Sequence, residues 1–185
     1  MELSEKTALV IVDAQQALYE PDMGALSNPD FEMQILDLLT LWRARHWPVF
    51  HVKHTSHEPA SPYFSLSPSC EFIEKTAPVA GEPVVGKEYA SAFLNSALGS
   101  MLRMDGCEQL VICGAHTHKA VDATVRHASG LKFETYVVSD ACAAADQTDL
   151  SGRLWNGEDV HLLALGVLNE DYAKVISMQD IFSSI

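Results

Sequence analysis

The 185-residue chain sets 12 Lys and Arg against 25 Asp and Glu, a formal net charge of −13. A surface of that sign repels phosphate backbones and anionic headgroups, which argues against a nucleic-acid or membrane-surface partner. With 48% hydrophobic residues the chain has material for one sizeable core, and its composition is neither disordered nor fibrous.

In chain order, the first apolar run is Thr7–Val12 (TALVIV). Glu2 and Glu5 precede it, unlike a secretion signal, and no apolar stretch approaches a membrane span. The early turn Leu18–Met23 follows, and then Phe31–His46, with Phe31, Ile35, Leu38, Leu39 and Trp42 at helical spacing. Pro48–Lys53 (PVFHVK) reads as a second strand. The stretch Ser56–Pro83 holds five of the eight prolines and reads as a long ordered loop or lid, a place where function is often carried. Val84 and Val85 mark a short third strand.

Ser91–Met104 repeats the helical spacing with Leu94, Leu98, Met101 and Leu102. Gln109–Cys113 (QLVIC) is a fourth strand, and Ala120–Ser129 a shorter helix closed by Gly130 as its cap. Glu134–Ser139 (ETYVVS), a helix over Val160–Leu168 and a last strand Ala173–Ser177 complete the series. Short, continuous β-branched runs indicate strands buried on both faces. Their alternation with helices predicts an α/β fold, a predominantly parallel six-stranded sheet with helices on both faces, as one domain over residues 1–185. Cys70, Cys107, Cys113 and Cys142 form no CxxC pair and read as free buried thiols, the expectation for a reducing cytoplasm.

Ligands of open parallel sheets bind beyond the carboxyl ends of the strands, which singles out four places. Asp13 follows TALVIV, where partial desolvation raises a carboxyl and suits it to act as a general base; the alternative is a turn or cap residue. Lys87 follows PVVG and is either a solvated turn lysine or a buried cation that holds Asp13 and stabilises a developing anion. His51, His54 and His57 recur every third residue, but on a strand running into a loop that spacing does not place them on one face, and no aspartate lies among them, so no metal is expected. Gly114–Ala120 is the fourth, with His116 and His118 alternating in a turn.

The segment Gly114-Ala-His-Thr-His-Lys-Ala-Val-Asp-Ala-Thr-Val-Arg-His-Ala128 resembles the nucleophile motif of the isochorismatase-like hydrolases, roughly G-x-x-T-x-x-C-V-x-x-T-x-R-x-A, at every marked position but one. Ala120 stands where the cysteine belongs. Val10–Gln15 (VIVDAQ) is similar to the family's catalytic-aspartate strand. Val84-Val85-Gly86-Lys87 with Ser91-Ala92-Phe93 resembles its catalytic-lysine segment, and Val137–Cys142 the strand after the nucleophile helix. The four pieces occur in order and cover residues 7–178.

The resemblance implies a Rossmann-like three-layer fold and an Asp–Lys–Cys triad acting on small amides or related C–N bonds, with Asp13, Lys87 and residue 120 as its members and no cofactor. It further implies an oxyanion hole from the backbone N–H groups of His116 and Ala120, a cis peptide at Ala115–His116, and a homodimer or homotetramer. The family's nicotinamidases carry an Asp-x-His metal element that His51–His57 lacks, so the resemblance leans to the metal-free amidohydrolases. Tyr19, Phe64, His116 and Trp155 are the candidate substrate contacts.

A methyl group cannot attack a carbonyl, so Ala120 leaves three readings. One is an amide hydrolase whose nucleophilic cysteine has been replaced. Another is a nucleophile-free hydrolase of the isochorismatase type, cleaving a vinyl ether by acid catalysis. The third is a catalytically dead small-molecule-binding homologue.

Overall fold

A computed structural model describes residues 2–184. Six strands form one parallel sheet: β1 (Thr7–Val12), β2 (Val49–His54), β3 (Val84–Lys87), β4 (Gln109–Ala115), β5 (Glu134–Ala143) and β8 (Lys174–Ile176), in the order β3-β2-β1-β4-β5-β8. Every residue of β1 is buried, as are Leu110–Ala115 of β4, which is why these runs are continuously apolar. A separate two-stranded antiparallel hairpin joins β6 (Gln147–Thr148) to β7 (Leu154–Trp155).

The helices are α1 (Phe31–Arg45), α2 (Leu98–Met104), α3 (Asp122–Gly130), α4 (Gly157–Asp171) and α5 (Met178–Ser183). The β1–α1–β2 connection runs to one side of the sheet and β4–α3–β5 to the other. Right-handed crossovers therefore place α1 and α3 on opposite faces. The direction reverses between β1 and β4, and the carboxyl ends of these two strands open the crevice where such sheets bind ligands.

Most predicted elements are present, with changed limits. The helix expected from Ser91 begins only at Leu98, because side chains tie Ser91–Ser96 down locally: Ser91 Oγ meets His127 Nδ1 at 2.9 Å, and Ala92 N–H donates to Thr124 Oγ1 at 3.0 Å. Gly130 is the last residue of α3 rather than its cap; Leu131 takes that place. The strand expected over Glu134–Ser139 continues to Ala143, and α4 extends beyond Val160–Leu168 at both ends. Ser56–Pro83 holds two short 3₁₀ turns, Pro68–Cys70 and Glu74–Thr76, and no strand of the sheet. All four cysteines are free and buried. No helix among the described residues is long and apolar enough to cross a membrane.

Candidate active site

Val12, the last residue of β1, pairs with Gly114 of β4, so Asp13 and the turn after β4 leave the sheet side by side. Gly114 has φ +125°, and a Cβ there would lie 2.0 Å from the Val12 carbonyl oxygen. Only glycine permits this approach. Asp13 itself takes φ +54°, turning the chain sharply at the strand end.

On the far side of β1, the last residue of β2, His54, pairs in register with Lys87, the last of β3. Lys87 reaches back across β2, and its Nζ donates to Asp13 Oδ2 at 2.7 Å, both residues buried. The second carboxylate oxygen, Oδ1, is buried without a hydrogen-bond partner among the described residues. Burial pushes the Asp13 carboxyl up to about 6, and the Lys87 ammonium holds back a further rise.

Gln15 clamps the neighbouring backbone. Its Nε2 donates to the carbonyls of His54 (2.9 Å) and Cys70 (2.7 Å), and its Oε1 accepts from His54 N–H at 2.7 Å. One side chain thus joins the exits of β1 and β2 to the long loop.

On the other flank, the Ala115–His116 peptide bond is cis. Thr117–Val121 then forms a π turn in which Val121 N–H reaches the His116 carbonyl (3.2 Å), and α3 continues from it. Such wide turns gather at functional sites. The helical stretch therefore starts three residues before the expected Ala120. Thr117 is fixed by a 2.8 Å contact of its hydroxyl with His161 Nδ1 of α4. Ala120 is buried at 6% exposure. His116 is buried too, with neither ring nitrogen partnered among the described residues. Burial first, then Lys119 and His118, lower its imidazole to about 4, so it is neutral at physiological pH.

The structure thus brings Asp13 and Lys87 into contact and sets the His116–Ala120 turn beside them through the β1–β4 register. The other candidate contacts have the following surroundings. Tyr19 is half exposed and its hydroxyl bonds to Glu32. Trp155 donates to Asp149 at 2.9 Å and lines a groove of about 710 Å³ between α3 and α4, with His118 in its wall. Phe64 forms a bridge with Ser56 inside the long loop, while its neighbour Tyr63 packs edge-on against His54 with ring centroids 4.9 Å apart. Burial raises the Tyr63 phenol, and the Asp13 carboxylate adds to the rise. The evenly spaced histidines take three separate partners: His51 meets Glu82, His54 meets Lys87 and His57 meets Glu88. No group of three His, Cys, Asp or Glu among the described residues is placed to hold a metal ion.

Sequence reasoning missed Tyr63 and the meeting of His54 with Lys87. The second depends on two strands ending in register, which neither strand's own sequence encodes.

Comparison with known proteins agrees with this fold. The isochorismatase domain matches residues 7–180. The uncharacterized isochorismatase family protein YddQ of Bacillus subtilis is 33% identical, over 91% of this chain and 94% of its own. The crystal structure of a putative isochorismatase-family hydrolase from Chromobacterium violaceum superposes with a TM-score of 0.95 at 36% identity, covering 100% of this chain and 96% of that one. Maleamate amidohydrolase of Pseudomonas putida is 31% identical over 62% of this chain and 48% of its own length.

Proposed function

Because the chain belongs to the isochorismatase domain family, we propose that its pocket is that of a hydrolase of small-molecule amides or related C–N bonds, held in a form that binds substrate without covalent turnover. One observation carries the reading: the buried Lys87–Asp13 pair leaves Asp13 Oδ1 unpartnered at the reversal point of the sheet, beside the turn that carries residue 120. The amide named in the P. putida relative supports the substrate class.

With a cysteine at position 120, Asp13 takes the thiol proton and the thiolate attacks the amide carbonyl carbon. The backbone N–H groups of His116 and residue 120 face the oxyanion, and Lys87 balances the charge on Asp13. Protonated Asp13 then gives its proton to the departing nitrogen. Asp13 next deprotonates a water, whose oxygen attacks the thioester carbonyl; the C–S bond breaks and Asp13 returns the proton to the departing thiolate. Ala120 removes the first bond-forming atom and leaves the rest of this arrangement standing.

A second reading rests on Asp13 alone. A carboxyl raised to about 6 is partly protonated near neutral pH and can act as an acid, as nucleophile-free vinyl-ether cleavage requires. A pure binding role is the third. The test compares the unaltered chain with Ala120→Cys on amides, ureido acids and isochorismate, with intact-mass detection of acyl adducts. Turnover and an adduct in the cysteine variant alone support the amide reading. Vinyl-ether cleavage by the unaltered chain overturns it in favour of the second, and silence of both forms across the panel favours the third.

A further inference from the structure

We propose that His54 is a positioning residue: its Nδ1 is the second acceptor that holds the Lys87 ammonium in line with Asp13. The inference rests on the reading of Asp13 and Lys87 as the working pair, and it adds a member that the nucleophile, aspartate and lysine motifs do not contain.

The geometry is direct. Lys87 Nζ lies 2.7 Å from Asp13 Oδ2 and 3.3 Å from His54 Nδ1. A buried ammonium has three N–H donors to satisfy, and a lysine stem is flexible, so one carboxylate oxygen alone does not fix its direction. A second acceptor on a neighbouring strand does. His54 suits the task because its own freedom has been removed. Gln15 grips its backbone on both sides, at N–H and at C=O, and the Tyr63 ring packs against the imidazole in a T-shaped contact.

For Nδ1 to accept, the ring must be neutral, with its proton on Nε2. The groups facing it favour that form. Burial, then the Lys87 ammonium, lower the imidazole to about 4, with Glu88 opposing. His54 therefore stays an acceptor throughout the range in which Asp13 titrates.

Removing the acceptor frees the ammonium to swing away from Asp13, and an opposite charge that retreats lets the carboxyl rise. The experiment titrates Asp13 in the full-length chain by ¹³C NMR of labelled aspartate carboxyls, with Asp13→Asn to assign the signal. His54→Phe keeps a ring against Tyr63 and deletes the nitrogen; His54→Asn returns an acceptor near the Nδ1 position. The Asp13 midpoint rises by about one pH unit in the Phe variant and returns to within about 0.3 of the parent in the Asn variant. A midpoint that fails to rise in His54→Phe, or rises as far in His54→Asn, overturns the proposal. A ¹⁵N spectrum of the unaltered chain tests the same point without any variant: it shows an unprotonated Nδ1 and a protonated Nε2 on His54, and the opposite tautomer overturns the proposal. Neither measurement needs turnover, so failure of the amide reading and failure of this one are distinguishable.

Discussion

At the residue scale, Asp13 is governed by two opposed effects of similar origin. Burial disfavours its charge, and the Lys87 ammonium 2.7 Å away favours it. Burial is the larger, so the folded carboxyl sits at about 6 against an ordinary 3.8. The sign follows for function and stability alike. Below about pH 6 Asp13 is protonated and cannot accept a thiol proton. In Ala120→Cys, kcat/KM therefore rises with pH along an acidic limb whose midpoint is near 6. Lys87→Met removes the opposing cation and moves that limb upward by about 1–3 pH units, alongside a lower rate. A limb near 4 in the parent variant, or one that Lys87→Met leaves in place, removes Asp13 as the base. For stability, the folded state holds the Asp13 proton more tightly than the unfolded chain. This group's contribution is therefore present at acid pH and is lost as pH rises through about 6. At Asp13 the fold thus gives up stability at neutral pH.

At the scale of elements, the exits of β1, β2, β3 and β4 define the site, and how far each was readable differs for physical reasons. β1 and β4 are buried along their length, so their apolar runs announce them and place Asp13 and Gly114 at strand ends. β6 and β7 are two residues each, too short for any period to show. The helix α5 has a start that its sequence does carry, because Ser177 and Asp180 form a capping box. The segment Ser91–Ala97 has helical spacing, yet Asn95 takes φ +52° and the side chains of Thr124 and His127 hold the turn open, a tertiary effect that local pattern does not carry. In the candidate site, the placing of Asp13, Lys87 and the position-120 turn at or past strand ends was legible from order along the chain. Tyr63 and the His54–Lys87 contact were not, because they depend on strand register and on the path of a 28-residue loop.

Gly114 tests the element scale. A methyl group there meets Val12 backbone at 2.0 Å and demands a φ of +125°, so β4 must shift away from β1. Gly114→Ala is expected to cost about 2–4 kcal/mol from overpacking and backbone strain together, read as a loss of roughly 5–15 °C in Tm. If the variant folds, the displaced turn also misplaces residue 120, so Gly114→Ala in the Ala120→Cys chain loses at least about 100-fold in kcat/KM. Unchanged Tm would show that β4 does not need the close approach.

At the scale of the whole molecule, a second polar cluster lies below the site and joins three parts of the chain. Glu82, just before β3, accepts two bonds from Arg43 of α1, at 2.7 and 2.9 Å. It also meets His51 Nε2 of β2 at 2.8 Å and accepts Val79 N–H at 3.0 Å. The end of the long loop is thereby fastened to the sheet and to the helix across it, immediately ahead of the strand that delivers Lys87. Burial works to raise the Glu82 carboxyl, but Arg43, the Val79 N–H and His51 together outweigh it and bring it down to about 2 from an ordinary 4.5. A depressed carboxyl contributes stability that is present above about 4.5 and lost as pH falls from there towards 2. Glu82→Gln removes the charge that Arg43 needs and is expected to lower stability at pH 7 by about 2–3 kcal/mol. The Glu82 part of the gap between the two proteins should narrow as pH falls below about 4.5, because the parent loses what the variant never had. Urea unfolding at intervals from pH 7 to 3 measures this; stability curves that run parallel down to pH 3 would show that Glu82 is not the charged centre of the cluster.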